Sequence, residues 1–373
     1  MIYRNYGQTG KKVSLLGFGG MRFKDKKNAV AALQKGVELG INYFDTAPLY
    51  GNSEDIFGEA FAPFKKEIND GKLYFSTKSM YYQEKTAAEV EKICNRSLQR
   101  MQMEKIHFFH MWSIRSMDQF RKIMAPGGAY EGAKRLKKAG KIDHIVFSCH
   151  FNNEEIKQVI NEDVFEGVLL GYNLLNYKRR EKGITAARQH HIGIAVMNPL
   201  AGGVIPGLAQ NWQQMGGSAS RLGQDPGRII RAALQFVALT PGVSTVLSGM
   251  SDPDMVSQNA AALDNLDELD IEEIKKIAPD FNMNGRRFCT QCGYCLDSCP
   301  QKINIPSMFM WLDMHHAGLK QQAQTWWNIF SGENEDFQGT LPSDCTECGS
   351  CEEVCTQHLD IINRLKECED IFL

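Results

Sequence analysis

The chain has 373 residues, 43% of them hydrophobic and 23% charged, with a formal net charge of −2. That is enough chain for one barrel-sized domain plus a small module, and the composition is that of a folded globular protein. Near-neutrality gives no footprint for nucleic acid or a membrane surface, no run reaches the ~20 apolar residues of a spanning helix, and no secretory pattern follows Met1. No nucleic-acid or membrane partner is expected, and the expected location is cytoplasmic. The charge is unevenly spread: residues 286–373 carry 6 Lys/Arg against 13 Asp/Glu. Eight of the 11 cysteines fall in two short runs of that acidic tail, which in a reducing compartment reads as metal binding rather than disulfides.

In chain order, residues 1–14 hold two short strand-like runs around Gly10-Lys11-Lys12, the pattern of a hairpin. Val13 to Phe18 follows as the first barrel strand. Gly17-Phe18-Gly19-Gly20-Met21-Arg22 opens like a dinucleotide fingerprint, but Arg22 fills the sixth position and the Rossmann pattern fails. Gly19, Gly20 and Met21 read instead as a tight βα turn where a flat ring can lie close to the backbone. Helical periodicity then falls near 26–39, 53–63, 85–101, 129–139, 152–161, 180–189, 226–239 and 253–262. Short apolar strands fall near 41–45, 73–77, 105–110, 143–147, 165–171, 192–197 and 243–247. With the first strand this alternation predicts an α/β chain built as a (β/α)8 TIM barrel. Residues 263–285 read as the join to a second domain, so the expected domains are 1–285 and 286–373.

Three strand ends carry titratable groups. Asn42-Tyr43-Phe44 ends on Asp45, Leu73 to Thr77 on Lys78, and Ile106-His107-Phe108-Phe109 on His110; a Pro-containing loop after Asp45 returns Tyr50 to the same rim. Such groups at the ends of apolar strands are costly unless paired or used, and the carboxyl ends of barrel strands are where active sites of this fold sit. A phenol with an ordinary pKa of ~10 is a poor acid at neutral pH. An adjacent Lys78 ammonium would favour the phenolate, each tenfold gain in acidity corresponding to about 1.4 kcal/mol. Asp45 would hold Lys78 charged, and His110 would serve the oxygen being protonated. The set amounts to a general acid for a carbonyl oxygen whose carbon receives a hydride.

Asp45, Tyr50, Lys78 and His110, in this order and setting, resemble the aldo-keto reductase family over roughly residues 1–285. The resemblance places the hairpin across the bottom of the barrel and implies a bound nicotinamide, NAD(H) or NADP(H). It puts cofactor contacts at Ser148, at Tyr172 and Asn173, at Met197, Pro199 and Leu200, and at Gly249, Gln258 and Asn259. Two carboxamide contacts of the family are missing: Cys149 stands where an Asn pairs with the Ser, and Leu169 where many members carry Gln. Met197 replaces a frequent stacking Tyr. Gly249 and Met255 lie where NADPH-preferring members often carry Lys and Arg, and Asp252 and Asp254 would repel a 2′-phosphate, so NAD(H) is favoured. Met21, Met80, Tyr81, Met111 and Trp112 are the candidates for lining a substrate pocket. Cys149 reads as a buried thiol, and Cys94 and Cys368 as structural.

The tail runs Cys289-x2-Cys292-x2-Cys295-x3-Cys299-Pro300, and again Cys345-x2-Cys348-x2-Cys351-x3-Cys355. This is the bacterial ferredoxin spacing for [4Fe–4S] clusters, in which the fourth cysteine serves the other cluster. Cys289, Cys292, Cys295 and Cys355 are therefore assigned to one cluster, and Cys345, Cys348, Cys351 and Cys299 to the other. Zinc knuckles are the alternative, but they leave a third and fourth cysteine per run redundant. The insert Met308 to Asn328, with Trp311, Trp326 and Trp327, reads as helices that pack the module against the barrel or shield a cluster. Several aldo-keto reductases of anaerobic microbes resemble this arrangement of barrel followed by dicluster tail.

The expectation is an iron–sulfur oxidoreductase of the aldo-keto reductase type. Its substrate would be a small carbonyl or alcohol, and a ferredoxin or flavoprotein would be its redox partner. The alternative is an electron-transfer or regulatory subunit whose barrel binds nicotinamide or a partner without substantial turnover.

Overall fold

The structure, a computed structural model, describes residues 1–79, 86–114, 117–149, 153–174, 176–203, 205–206, 209, 226–264, 266, 289, 293–316, 320–330 and 340–373. The chain divides into two compact units, Met1–Pro199 with Leu234–Ile271, and Leu200–Ala233 with Glu272–Leu373. The expected join, 263–285, lies mostly outside the described residues.

The barrel strands are β3 (Leu16–Gly19), β4 (Tyr43–Asp45), β5 (Tyr74–Lys78), β6 (Ile106–Ile114), β7 (Ile142–Cys149), β8 (Gly167–Gly171), β9 (Gly193–Met197) and β10 (Thr245–Gly249). They are parallel, pair in chain order, and close β10 onto β3. Covered on both faces, the strands read as near-continuous apolar runs. Helices α1 (Lys26–Glu38), α2 (Ser53–Ala60), α4 (Ala87–Met101), α6 (Ala129–Lys138), α7 (Asn153–Asn161), α8 (Glu181–Gln189), α9 (Pro226–Leu239) and α10 (Pro253–Asp264) fall where the periodicity places them. Two more, α3 (Lys65–Asn69) and α5 (Met117–Met124), were not expected; α3, at 5 residues, is too short for a helical period to show. Helix α4 starts at a capping box: the Thr86 side chain accepts from Glu89 N–H while Glu89 reaches back to the Thr86 N–H.

The first barrel strand is shorter than its sequence suggests. Lys12–Ser14 is β2 and pairs antiparallel with β1 (Tyr3–Asn5); the barrel strand begins only at Leu16. The run breaks at Ser14, whose hydroxyl donates to the Leu16 carbonyl (2.7 Å) and whose N–H donates to Asn42 Oδ1 (2.6 Å). Beyond the hairpin strand β1, Tyr6 is fully buried in a cluster with Tyr43, Phe108, Val146 and Leu169. Its ring lies against Gly193 and Gly167, where an added Cβ would stand 2.0 and 2.5 Å from it. Glycine at these two strand starts is what makes room for the plug.

Parallel register does the positioning. Asp45 lies opposite Ser76, and Lys78 opposite His110. His110 is not the end of its strand, as the sequence suggested, because β6 runs on to Ile114. The ladder slips between Met111 and Ile114, where Ser113 takes a left-handed φ of +57°, the signature of a bulge that re-aims side chains near a barrel rim.

In the second unit the tail forms α11 (Tyr294–Ser298), α12 (Ile305–His316), α13 (Lys320–Phe330), α14 (Ser350–Glu353) and α15 (Ile361–Phe372). Gly293 and Gly349 precede α11 and α14 with the same φ of +78°, so the sequence repeat is a backbone repeat. Trp327 stacks on Phe372 (4.7 Å, 11°) and meets Trp311 edge-on (5.6 Å, 79°). These two indoles belong to the module's own core, while Trp326 is 43% exposed. Cys368 in that core and Cys94 in α4 are both fully buried, consistent with packing roles. Among the described residues no helix is long and apolar enough to cross a membrane.

Candidate active site and candidate metal centre

At the carboxyl ends of β4 and β5, Lys78 Nζ donates to Asp45 Oδ2 (2.6 Å) and to the Thr46 carbonyl (2.7 Å). The two side chains are 1% and 5% exposed, so each charge depends on the other. Ser76 Oγ donates to the second Asp45 oxygen. His110, fully buried, brings Nε2 to 3.7 Å from Asp45 Oδ1. Burial first, then the Lys78 ammonium, holds its pKa well below 6.5. It is a neutral imidazole with one donor and one acceptor to offer. Tyr50, half-buried on the loop after β4, lies under the ammonium, with Lys78 Nζ 4.8 Å from the ring centroid. Trp112 meets that ring edge-on at 5.8 Å and 88°.

The four residues gather as expected, but one expectation about them is corrected. The Tyr50 phenol is pushed well above 10, by burial first and then by the Asp45 carboxylate. The Lys78 ammonium donates to Asp45 and Thr46 and lies 4.8 Å from the Tyr50 ring centroid, and the net direction is set by burial and Asp45. Sequence reading also missed Ser76, which completes Asp45, and the Glu54–Arg100 pair below the loop. The polar Ser76-Thr77 inside an apolar strand was the available signal.

The tail cysteines line two separate cavities. One is lined by Cys289, Cys295 and Cys355 along with Tyr294 and Phe309. The other is lined by Cys299, Cys345, Cys348 and Cys351. Cys292 lies outside the described residues. Burial, then the neighbouring Glu352, Cys299 and Cys345, raises the Cys351 thiol to about 11. Among the described residues no group of His, Cys, Asp and Glu is arranged to hold a single metal ion. The sulfur donor set fits an iron–sulfur group, and the fourth cysteine of each run, Cys299 or Cys355, lines the cavity of the other run.

Residues 15–279 match the model of the Aldo/keto reductase family. The chain belongs to that family. Residues 288–360 match a 4Fe-4S dicluster domain. Relatives include L-galactose dehydrogenase of Arabidopsis thaliana, 26% identical over 317 residues covering 72% of this chain and 90% of that protein. The NADH-specific methylglyoxal reductase of Escherichia coli is 22% identical, covering 68% and 88%. A putative voltage-gated potassium channel subunit beta of Schizosaccharomyces pombe is 24% identical, covering 74% and 92%. Among solved structures, the holo form of aldo-keto reductase AKR11C1 from Bacillus halodurans superposes with a TM-score of 0.61 at 22% identity, over 75% of this chain and 95% of that one. This aldo/keto reductase is an oxidoreductase whose family is nicotinamide-dependent and whose tail is a 4Fe-4S dicluster domain.

The residues expected at the nicotinamide lie in unequal settings. Ser148 is buried at the end of β7 and its Oγ accepts from Ser113 N–H (2.8 Å), leaving the hydroxyl proton to donate. Asn173 is buried too, and its amide donates to the Asn198 carbonyl (2.9 Å). Cys149 is a buried thiol, as expected, and Leu169 is part of the barrel core. Tyr172, expected at the cofactor, is 2% exposed and stacks on Phe236 (5.5 Å, 14°), so its ring is taken up by packing. Gly20 packs against α2, where a Cβ would stand 2.6 Å from Ser53 Oγ; Gly19 has ordinary room, and Met21 is 39% exposed. Met197 is half-buried, Pro199 ends the first unit's segment, and Leu200 opens the segment grouped with the tail. Gly249 and Gln258 are exposed, while buried Asn259 donates to Ser248 Oγ (3.0 Å). Asp252 accepts from Met255 N–H (2.9 Å) and caps α10. Met111 is fully buried inside β6, and Met80 and Tyr81 lie outside the described residues.

Proposed function

We propose that this chain reduces a small aldehyde or ketone, or oxidises the corresponding alcohol, in the barrel mouth. We further propose that its tail holds two [4Fe–4S] clusters that exchange electrons with a separate ferredoxin or flavoprotein. The observation that carries the reading is the gathering of Tyr50 and His110 around the buried Lys78–Asp45 pair. When bound, nicotinamide supplies or accepts the hydride, and the clusters carry single electrons. Tyr50 Oη gives its proton to the carbonyl oxygen, the His110 N–H hydrogen-bonds the same oxygen, and Lys78 balances the phenolate that results. Asp45 keeps Lys78 charged and fixed.

Asp252 at the start of α10, with exposed Asp254 beside it, favours NAD(H) over a cofactor bearing a 2′-phosphate. The NADH specificity and small oxo substrate named for the E. coli relative support the same choice. One cluster takes Cys289, Cys292, Cys295 and Cys355; the other takes Cys299, Cys345, Cys348 and Cys351. We place the domain boundary near residue 285, between the ends of the two family matches, and the protein in a reducing cytoplasm, where these thiols stay available.

A second reading is a nicotinamide-binding or electron-transfer subunit with little turnover. The thinned carboxamide side at Cys149 and Leu169 favours it, as does a relative named as a channel subunit. The test mixes purified protein anaerobically with NADH and a panel of small aldehydes and ketones, following nicotinamide and cluster absorbance together. Carbonyl-dependent NADH oxidation that Tyr50→Phe abolishes supports the reductase. Saturable NADH binding without oxidation supports the second reading, and no binding overturns both.

A further inference from the structure

Tyr50 does its work from a loop, and a loop alone holds a phenol poorly. The segment's own ties are few: Tyr50 N–H to the Ala47 carbonyl (3.1 Å), Ser53 N–H to the Tyr50 carbonyl (3.0 Å), and a Thr46–Ser53 hydroxyl pair (2.8 Å). A guanidinium from α4, fifty residues further along the chain, supplies the rest. Arg100 Nη1 donates to the Pro48 carbonyl (3.4 Å) and Nη2 to the Gly51 carbonyl (2.9 Å), gripping the loop on both sides of Tyr50. Nη1 also bonds Glu54 Oε2 (3.1 Å), and Nε and Nη2 bond Asp55 Oδ2 (3.0 and 2.6 Å). These contacts engage all five N–H groups of the fork.

The second anchor lies under Lys78. The Glu54 side chain is 1% exposed, and its other oxygen accepts from Thr77 Oγ1 (2.8 Å), the fully buried residue just before Lys78 on β5. One cation thus ties the Tyr50 loop, through a buried carboxylate, to the strand that carries the ammonium.

We infer that Arg100 is a positioning residue that fixes the Tyr50 phenol over Lys78, with Glu54 as its buried anchor. The inference rests on the reductase reading for its consequence in turnover, but the clamp itself is tested without turnover. A lysine at this place keeps a charge for Glu54 yet has three donors and no planar fork, so it cannot hold both loop carbonyls and both carboxylates.

The experiment incorporates 3-fluorotyrosine at position 50 in full-length, cluster-loaded protein and records its fluorine resonance in the parent and in Arg100→Lys. The parent should give one narrow line whose phenol titrates above free tyrosine. In Arg100→Lys the line should broaden or split, and the phenol should titrate closer to free tyrosine as burial is lost. NADH affinity should stay within about twofold, and carbonyl-dependent oxidation should fall by roughly 10²-fold, the cost of an ångström-scale misplacement. Arg100→Met with Glu54→Gln removes the buried charge along with its partner, and should repeat the fluorine result. An unchanged line and titration in the folded variants overturns the clamp. If the fluorine line loosens while the parent protein reduces no carbonyl, the clamp stands and the reductase reading falls.

Discussion

Replacing Lys78 with methionine is the most informative single change, because it separates the stability of the mouth from its chemistry. The ammonium is 1% exposed and makes hydrogen bonds to Asp45 and the Thr46 carbonyl. Its removal leaves a carboxylate 5% exposed with only Ser76 and, at 3.7 Å, a neutral His110 beside it. Breaking a buried pair from one side costs about 3–5 kcal/mol. Removing both charges, as in Lys78→Met with Asp45→Leu, should recover about 2–3 kcal/mol of that, since a well-packed apolar pair can match a buried ionic one. The chain has two units, so a single global unfolding curve is not the right measure. Native-state hydrogen exchange of β4 and β5 amides reads the barrel directly. If Lys78→Met protects β4 and β5 as well as the parent does, or if the double variant is worse than the single, the pair is not what holds the mouth together.

Tyr50→Phe should lower carbonyl-dependent NADH oxidation by about 10²–10⁴-fold, the usual share of a general acid, while NADH affinity in a binding titration stays unchanged. His107 is held at about 4 by burial, well below its ordinary 6.5. The unfolded chain therefore takes up a proton that the fold refuses, and barrel stability should fall by about 3 kcal/mol as pH drops from about 6.5 to about 4, with His110 adding to the loss. A barrel whose hydrogen-exchange stability is flat across that range would contradict both buried neutral imidazoles. Cys299→Ala should impair the cluster otherwise held by Cys345, Cys348 and Cys351, and Cys355→Ala the one held by Cys289, Cys292 and Cys295. Iron analysis with electron paramagnetic resonance of the reduced protein checks the crossing, which fails if each substitution damages its own run's cluster.

The barrel was legible because short apolar runs alternate with helix-period segments along the chain, and it is the alternation rather than any one strand that carries the signal. What stayed hidden was local. The hydroxyl of Ser14 ends one strand and the next begins two residues later, and no apolar count across Val13–Phe18 registers that break. The extension of β6 to Ile114 depends on a left-handed Ser113, a conformation its residue type does not advertise. The candidate set was readable since Asp45 and Lys78 end apolar strands and Tyr50 follows a turn, while His110 lies within β6 rather than at its end. The direction in which the Tyr50 pKa moves was not, because it depends on how deeply the phenol is buried and how close it lies to the Asp45 carboxylate. Tyr172 shows the same limit: its place at a strand end suggested the cofactor, while Phe236 from α9 claims its ring. The spacing of the cysteine runs anticipated that Cys355 would line a cavity with Cys289 and Cys295, and Cys299 one with Cys345, Cys348 and Cys351.

The mouth is electrically balanced before a substrate enters: Lys78 cancels Asp45, His110 is neutral, and Tyr50 keeps its proton. A neutral carbonyl therefore meets no uncompensated charge. Proton transfer from Tyr50 would place a phenolate in the ring 4.8 Å from the ammonium, so Lys78 is positioned to stabilise the product of the transfer, while Asp45 opposes ionisation in the resting site. The two charges thus act on opposite sides of one step. Neutralising Asp45 as Asp45→Asn removes the opposing charge and should lower the Tyr50 pKa. Because reduction needs the protonated phenol, the alkaline limb of the pH–rate profile should then move to lower pH, even as overall turnover drops with the loosened lysine. A limb that moves to higher pH would show that Lys78, once released, no longer carries its charge beside the phenol, and would place the pair's main role in holding that charge rather than in setting the resting pKa.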